Sequence, residues 1–568
     1  MILVTRNTPI TPFICLMARS WMKRVEPPIG GGQLMGSFLR DLRYGVRTLA
    51  HNPGFTVVAV AVLAVGIGAN IAIFSVANSV LLKPLPYRDP ERLVMVYERL
   101  ERFDFASLSP FTAFDFNIFE RETRLLEEVA AFANLTYELA ERAGTTEPER
   151  IVATRVSPSL FSLLGGEPAL GRTFTSEENH PDHRVVVLSY GLWQRRFGAN
   201  QNILGESITL DRQPYTVIGV MAPGFAFPPR GLRQLLVESH ELSDGPADLW
   251  LPLAFTPREL TAWWCCFDFN VVGRLGPNVT IKQVRSEVGM IVESISHPPT
   301  PARGVFGVRS GVEPFHSVVV GEVRTPLLVL WVAVGMVLLI ACVNVANLLL
   351  THASARHHEM VVRVAIGATR GRLITQVLTE SLLLAFLGSG LGLLLALWAT
   401  EGLAATVPIT LLRAAEIGMD QGVLLFSLLL CVGTALLFGL APALQSAGTD
   451  CGEALKEGGR GLGLAPGRHQ VLRFLVISQI ALALVLLVSA GLFLRSFSSL
   501  QEADPGFQAE QVLAITLALP RASYREGEQI RSFYQDLLVR VEVLPGVKTV
   551  SASTDLPLEL SVHRPFLI

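Results

Sequence analysis

Residues Phe55–Leu82 read FTVVAVAVLAVGIGANIAIFSVANSVLL, twenty-eight positions without a charged side chain. At 1.5 Å of rise per residue a helix of this length spans about 40 Å, more than the roughly 30 Å of a bilayer's hydrocarbon core. A core helix of a soluble protein would still keep a polar face, and this stretch has none. Four more such blocks follow, at about Leu327–Leu350, Val377–Thr400, Gly422–Gln445 and Val471–Leu494, the third with Glu380 near its start. They explain how a chain of 568 residues comes to be 50% hydrophobic and only 17% charged. Between the blocks the composition is that of ordinary globular protein, so the chain reads as five membrane spans joined to soluble domains.

Lysine and arginine in the flanks orient the spans. Lys23, Arg24, Arg40, Arg43 and Arg47 precede the first. Arg356, Arg363, Arg370 and Arg372 separate the second from the third, and Lys456, Arg460 and Arg468 separate the fourth from the fifth. The connection between the third and fourth has only Arg413, against Glu401, Glu416 and Asp420. The basic regions are therefore expected in the cytoplasm together with the N-terminus, and residues 83–326 and 495–568 outside the membrane.

Working outward, residues 36–54 read as a cytoplasmic amphipathic helix, with Phe38, Leu42, Val46 and Leu49 on one face and Arg40, Arg43 and Arg47 on another. A plain extension of the first span is the alternative. Asn52-Pro53-Gly54 breaks the chain before the span. Residues 1–35 form an extension that fits no pattern. Met35 makes a more natural start, so Met1–Leu34 is expected to be disordered or untranslated.

The large outer segment mixes the two periodicities. Glu91–Glu98, Arg184–Tyr190, Ser207–Leu210, Tyr215–Met221, Asp248–Leu253 and Phe269–Leu275 read as strands, and Asp115–Ala133 and Thr280–Ser296 as helices. This is an α+β domain. No G-x-x-x-x-G-K-[ST] occurs, and no G-x-G-x-x-G follows a strand, so the chain has no recognisable ATP site. The net charge of −2 gives no field that would favour nucleic acid.

Candidates for chemistry are few. His180, Asp182 and His183 sit in Asn-His-Pro-Asp-His, which reads better as a solvated loop than as a divalent-metal site, because further ligands are missing. His357-His358-Glu359 lacks the H-E-x-x-H spacing of zinc proteases, and Ser189-Tyr190-Gly191 is not a nucleophile elbow. Trp263 and Trp264 read as packing more than as a grip on an apolar ligand. Of the six cysteines, Cys342 and Cys431 lie inside apolar blocks, Cys265 and Cys266 are adjacent, and Cys15 and Cys451 stand apart, so no disulfide framework emerges. No catalytic or metal-binding set is expected.

The spans carry their own pattern. Gly66 and Gly68 in the first, and Gly388, Gly390 and Gly392 in the third, let helix backbones approach, and Asn344 and Asn347 in the second need partners across a helix interface.

Three stretches together resemble the FtsX/MacB-like family of ABC transporter permeases. The first is Phe38–Asp89, with Gly66-Ile67-Gly68-Ala69-Asn70 and then Leu82-Lys83-Pro84-Leu85-Pro86-Tyr87. The second is Val187–Phe225, with Trp193, Phe197-Gly198, Gly205 and Val217-Ile218-Gly219-Val220-Met221. The third is Ala355–Glu380, where Glu359, Arg363, Ala365-Ile366-Gly367-Ala368 and Arg370 precede Leu373, Gln376 and Glu380-Ser381. The order span, strand, helix then begins again at the fifth span, with a strand read at Gln511–Leu519 and a helix at Glu526–Val543. That repetition is similar to the duplicated orphan permeases of the family (the ADOP subgroup), here apparently truncated at the C-terminus.

The resemblance implies a fold class: a membrane α-helical protein of about five transmembrane helices, with a large α+β extracytoplasmic domain like the MacB periplasmic core and the start of a second such domain. The expected order is span 55–82, outer domain 83–326, span 327–350, cytoplasmic coupling loop 351–376, span 377–400, outer loop 401–421, span 422–445, cytoplasmic linker 446–470, span 471–494 and partial second outer domain 495–568. The implied role is that of a permease subunit in the bacterial inner membrane, passing the ATP-driven motion of a separate cytoplasmic ABC ATPase to the outer domain for export or efflux. The chain itself would bind no cofactor, ATP being used by the ATPase. Further expected partners are membrane lipid, a second copy or second permease, and a periplasmic adaptor or other outer partner. Glu359, Arg363, Gly367 and Arg370 are the expected ATPase-coupling residues. Their alternative is lipid anchoring and topology alone. Alternative roles within the same fold are an FtsX-like regulator of a cell-wall hydrolase and a lipoprotein-releasing permease.

Overall fold

The computed structural model describes residues 42–100, 110–140, 149–229, 232, 246–261, 268–295, 308–355, 369–406, 419–447, 466–502, 512–515, 517, 519, 524 and 527–553. They divide into a unit of long helices and a unit built on a sheet.

The helical unit begins with α1, residues 42–51, broken at Asn52 from α2, Pro53–Ala77, whose last turn widens into a π-helical stretch, Asn78–Leu82. Three further long helices enter it, α8 Phe315–Ala355, α9 Arg370–Thr406 and α10 Gln421–Ala447, as does α11 Pro466–Glu502. Among the described residues, five helices are long and apolar enough to cross a membrane, over Pro53–Leu82, Val323–His352, Gly371–Gly402, Gln421–Leu440 and Arg473–Glu502. Leu63, Ile67, Cys342, Val345, Leu384, Ala385, Cys431 and Phe438 form a common core of the first four.

The second unit holds a mixed sheet of ten strands among the described residues. The strands are β1 Leu93–Leu100, β2 Leu126–Leu139, β3 Glu149–Val156, β4 Pro168–Gly171, β5 Val185–Leu188, β6 Ser207–Leu210, β7 Gln213–Met221, β8 Leu249–Pro252, β9 Asn270–Leu275 and β10 Val308–Pro314. Their order is β10-β1-β9-β2-β3-β8-β5-β7-β4, with β6 paired to β2 and β7. The β3–β8 and β5–β7 pairs are parallel and the other pairs antiparallel.

Alternation along the strands sends side chains into two cores. Leu93, Met95, Phe132 and Val272 join Phe161, Phe227 and Trp250 on one face. Val94, Val96, Ala131, Ala133 and Val271 meet Phe116, Phe119, Val284 and Val288 on the other. The second face is covered by α3, Ala113–Glu122, and α7, Ile281–Ile295, whose Val284, Val288, Ile291, Val292 and Ile295 recur at helical spacing. A third core at the β7 end collects Trp193, Phe197, Ile203 and Leu210. It is sealed by α5, Tyr190–Phe197, which Ser189 caps through Leu192 N at 3.1 Å and Gly198 ends at φ +59.

The fold class agrees with the sequence reading: long apolar helices plus a mixed α/β sheet domain. Three local expectations fail. Helical spacing was read through Asp115–Ala133, but the helix stops at Glu122 and β2 begins at Leu126. Thr123 is already extended, and the segment after it lies between β9 and β3, buried on both faces. A strand so placed loses the polar alternation that marks strands in sequence, and Ala130, Ala131 and Ala133 then mimic a helix. Tyr190 belongs to a helix, not to the preceding strand. Residues 512–515, read as strand, form no strand and pair with none among the described residues. The helix read after them is present as α12, Gly527–Glu542.

Candidate functional site

Of the four expected coupling residues, Glu359, Arg363 and Gly367 lie outside the described residues. Arg370 opens α9, and its side chain is likewise not described. His357-His358-Glu359, Trp263, Trp264, Cys15, Cys265, Cys266 and Cys451 also lie outside, as do Met1–Leu34 and Met35. The residues flanking the loop are described. At its near end His352 of α8 stacks on Phe55 of α2, centroids 5.1 Å apart at 22°. At its far end the amides of Arg372 and Leu373 donate to Thr369 O at 3.0 and 3.4 Å, and Leu373 and Val377 pack with Ala443. The loop thus runs between two helices whose ends are both held by neighbouring spans.

The face that α1 turns to the bundle overlaps only in part with the apolar face read in the sequence. Gly45 and Leu49 are buried and Leu42 half-buried, whereas Val46 is 53% exposed. The apolar face is set by Leu42, Gly45 and Leu49, and a glycine does not register on a hydrophobicity pattern. A Cβ at Gly45 would lie 2.7 Å from Leu383 Cδ1 and 3.7 Å from Glu380 Cγ. Small size, not apolarity, lets α1 sit down on α9.

The glycines and amides of the spans fall in contrasting surroundings. A Cβ at Gly68 would stand 2.7 Å from Gly392 O and 3.1 Å from Gly392 Cα, so α2 and α9 touch backbone to backbone there. Gly388 faces Leu63 at 2.7 Å, and Gly66 faces Leu338 and Ala341 at 3.2 and 3.3 Å. Gly390 faces nothing within 4 Å. Asn344 and Asn347 are both half-buried, and Asn347 Oδ1 has no hydrogen-bond partner among the described residues. The amide that does cross an interface is Asn70, donating to Gly66 O at 2.8 Å and to Val334 O at 3.1 Å. Phe74, Trp331 and Phe426 cluster one turn further along, Phe74 and Phe426 stacked at 3.9 Å.

Sequence reading noted Glu380, Gln376 and Ser381 at the start of α9 but gave them no role. Gln376, Thr379, Glu380 and Ser381 are all buried there, and Gln376 Nε2 donates to Glu380 Oε1 at 3.4 Å. The available clue was an acid inside an apolar block, since such residues mark function more often than packing.

In the sheet unit, charge pairs fix the loops. Arg172 holds Glu178 through both guanidinium nitrogens, at 2.7 and 2.6 Å, and the same carboxylate caps Thr175. The Arg172 contact, with the hydrogen bonds from Thr175, draws the Glu178 carboxyl down to about 2. Arg155 donates to Glu259 at 2.8 Å and to Leu253 O at 2.8 Å, holding the Glu259 carboxyl below its usual range against the opposing effect of burial. His180 and Asp182 approach at 3.4 Å in an exposed loop with His183 beside them. Among the described residues no three His, Cys, Asp or Glu side chains gather as a metal cage. What stands out is packing: closely approaching helices in one unit and a sheet with a core on each face in the other.

Two family descriptions match the chain, the MacB-like periplasmic core domain over residues 56–291 and the FtsX-like permease C-terminal over residues 331–450. Among curated relatives, the macrolide export ATP-binding/permease proteins MacB of Shigella flexneri and Escherichia coli (strain K12) are each 25% identical over 306 residues. That match covers 53% of this chain and 43% of each relative, so the chain spans less than half the length of the curated relatives it matches. Among solved structures, the periplasmic region of MacB from Actinobacillus actinomycetemcomitans is 14% identical, with 41% of this chain and 92% of that one covered at a TM-score of 0.28.

Proposed function

Because the chain belongs to the FtsX/MacB-like family of ABC transporter permeases, we propose that it serves as the permease subunit of an exporter, passing the motion of a separate cytoplasmic ATPase to its extracytoplasmic domain. The observation that carries this reading is the succession, in one chain, of the two domain matches and of apolar helices long enough to span a membrane. ATP hydrolysis falls to the partner, since the sequence has no phosphate-binding loop. On this reading the N-terminus and the 351–376 loop are cytoplasmic, and Glu359, Arg363, Gly367 and Arg370 receive the ATPase. Met360, Val361, Val364, Leu373 and Ile374 recur at helical spacing in that otherwise basic loop, which suits an amphipathic helix seated in a partner's groove. Two permease halves are needed to match an ATPase dimer, so a second copy or a second permease completes the assembly. The names of the relatives make macrolides the first export substrates to test.

The test is affinity purification of the detergent-solubilised protein from native membranes, comparing wild type with an Arg363→Glu/Arg370→Glu variant by mass spectrometry. An ABC ATPase recovered with wild type and lost with the variant is the expected result. Recovery of a hydrolase without any ATPase would favour the regulator reading. Recovery of neither, where a control permease complex survives, would overturn the proposal.

A further inference from the structure

The first turns of α9 place a buried carboxylic side chain where nothing catalytic needs one. Glu380 is 9% exposed, ten positions into a helix of thirty-seven, with Gln376 beneath it at i−4 and 8% exposed. At 1.5 Å per residue Glu380 lies about 15 Å along the axis from Arg370, where the loop ends. Polar and ionisable groups in a span are costly to keep, so two stacked on one buried face call for a purpose beyond filling space. The surroundings supply one. The side of α9 that carries Glu380 and Leu383 is the side on which α1 sits, with Gly45 close enough that any larger residue would strike Leu383. Leu49, one turn on, is buried as well, in the core shared with the first four spans. One residue beyond α1 the chain enters α2, which meets α9 again at Gly68 and Gly392. Both helices therefore touch α9, α1 where Gly45 faces Leu383 and the Glu380 stem, and α2 where Gly68 faces Gly392.

We propose that Glu380, with Gln376, is a positioning residue of the coupling machinery: it clamps α1 onto the first turns of α9, so that force arriving where the loop ends at Arg370 moves the first and third spans as one body. The clamp is a statement about this bundle alone. Its use in force transmission rests on the coupling role proposed above.

The experiment measures amide hydrogen exchange in the full-length protein in lipid nanodiscs. With Glu380→Leu, peptides covering 42–51 should exchange about tenfold faster, the change expected when a local contact is released. Peptides of β2 should be unaffected, which shows that the chain has folded. Glu380→Gln keeps the shape and the acceptor, and should hold exchange within about twofold of wild type. Gly45→Leu, which leaves Glu380 in place, should loosen 42–51 as Glu380→Leu does. Unchanged exchange with both Glu380→Leu and Gly45→Leu would overturn the clamp, as would equal behaviour of Glu380→Leu and Glu380→Gln, because then volume alone matters. A second arm uses the complex with its ATPase: Glu380→Leu should retain the ATPase but lose its stimulation by the permease. If wild type binds no ATPase, the coupling reading falls and force sharing falls with it, while the exchange arm still judges the clamp.

Discussion

The first and fifth long helices are alike in sequence terms and opposite in the structure. Their candidate spans, Pro53–Leu82 and Arg473–Glu502, each cover 30 residues at a mean hydropathy of 2.5. Half of the most apolar stretch of α2 is buried, and none of that of α11. Hydropathy reports the solvent a helix suits, which is the same for both. What separates them is small and polar residues placed at contacts: Gly66, Gly68 and Asn70 of α2 each meet another helix, while Gly491 of α11 faces nothing within 4 Å. Lipid is as apolar as leucine, so close approach and interhelical hydrogen bonds decide association in a membrane.

The largest effect is expected from placing the same side chain in both helices. Gly68→Leu must displace the backbone of Gly392 and should cost about 3 kcal/mol, seen as loss of monodisperse protein in detergent or a fall in melting temperature. Gly491→Leu should stay within about 0.5 kcal/mol of wild type. Equal effects at the two sites would mean that the contacts of α2 are not what distinguishes it.

A smaller effect is expected from Asn70→Leu, which removes the hydrogen bonds to Gly66 O and Val334 O. The expected loss is about 1 kcal/mol, and thermal unfolding in nanodiscs would measure it. No loss would assign the contact to glycine packing alone.

The sheet domain shows what a comparable polar contact contributes in water. Glu178 has its carboxyl lowered to about 2 from 4.5, chiefly by Arg172, whose own side chain is 53% exposed. A lowered carboxyl stabilises the fold above about 4.5, and that contribution disappears as pH falls toward 2. Arg172→Met should therefore destabilise the domain by about 1 kcal/mol at neutral pH, the solvent-exposed arginine limiting the effect. The gap from wild type should close between about pH 5 and pH 2 in a pH series of thermal melts. A gap independent of pH would show that Arg172 acts through packing of its stem.

Much of this was legible in the sequence, and the failures share a cause. Charge-free runs such as Phe55–Leu82 announce themselves, and the strands Ser207–Leu210 and Asn270–Leu275 sit where β-branched residues cluster. The central strand Leu126–Leu139 was hidden because burial on both faces erases alternation. The docking of α1 on α9 was not legible, because its key residue, Gly45, is defined by the neighbour it admits. Glu380 was visible as an anomaly in the third block, but Gly45 comes beside it only once the helices are packed. Charge-flank counting leads to the expectation that the loop around Arg363 is cytoplasmic, and the proposed coupling to an ATPase depends on that same loop.

That claim is tested most directly by the ATP turnover of the complex purified from native membranes and reconstituted in lipid nanodiscs, with wild type compared to Arg363→Glu/Arg370→Glu. Wild-type permease should raise turnover severalfold over the ATPase alone, and the variant should give no such rise. Equal turnover for the ATPase alone, with wild type and with the variant would contradict it.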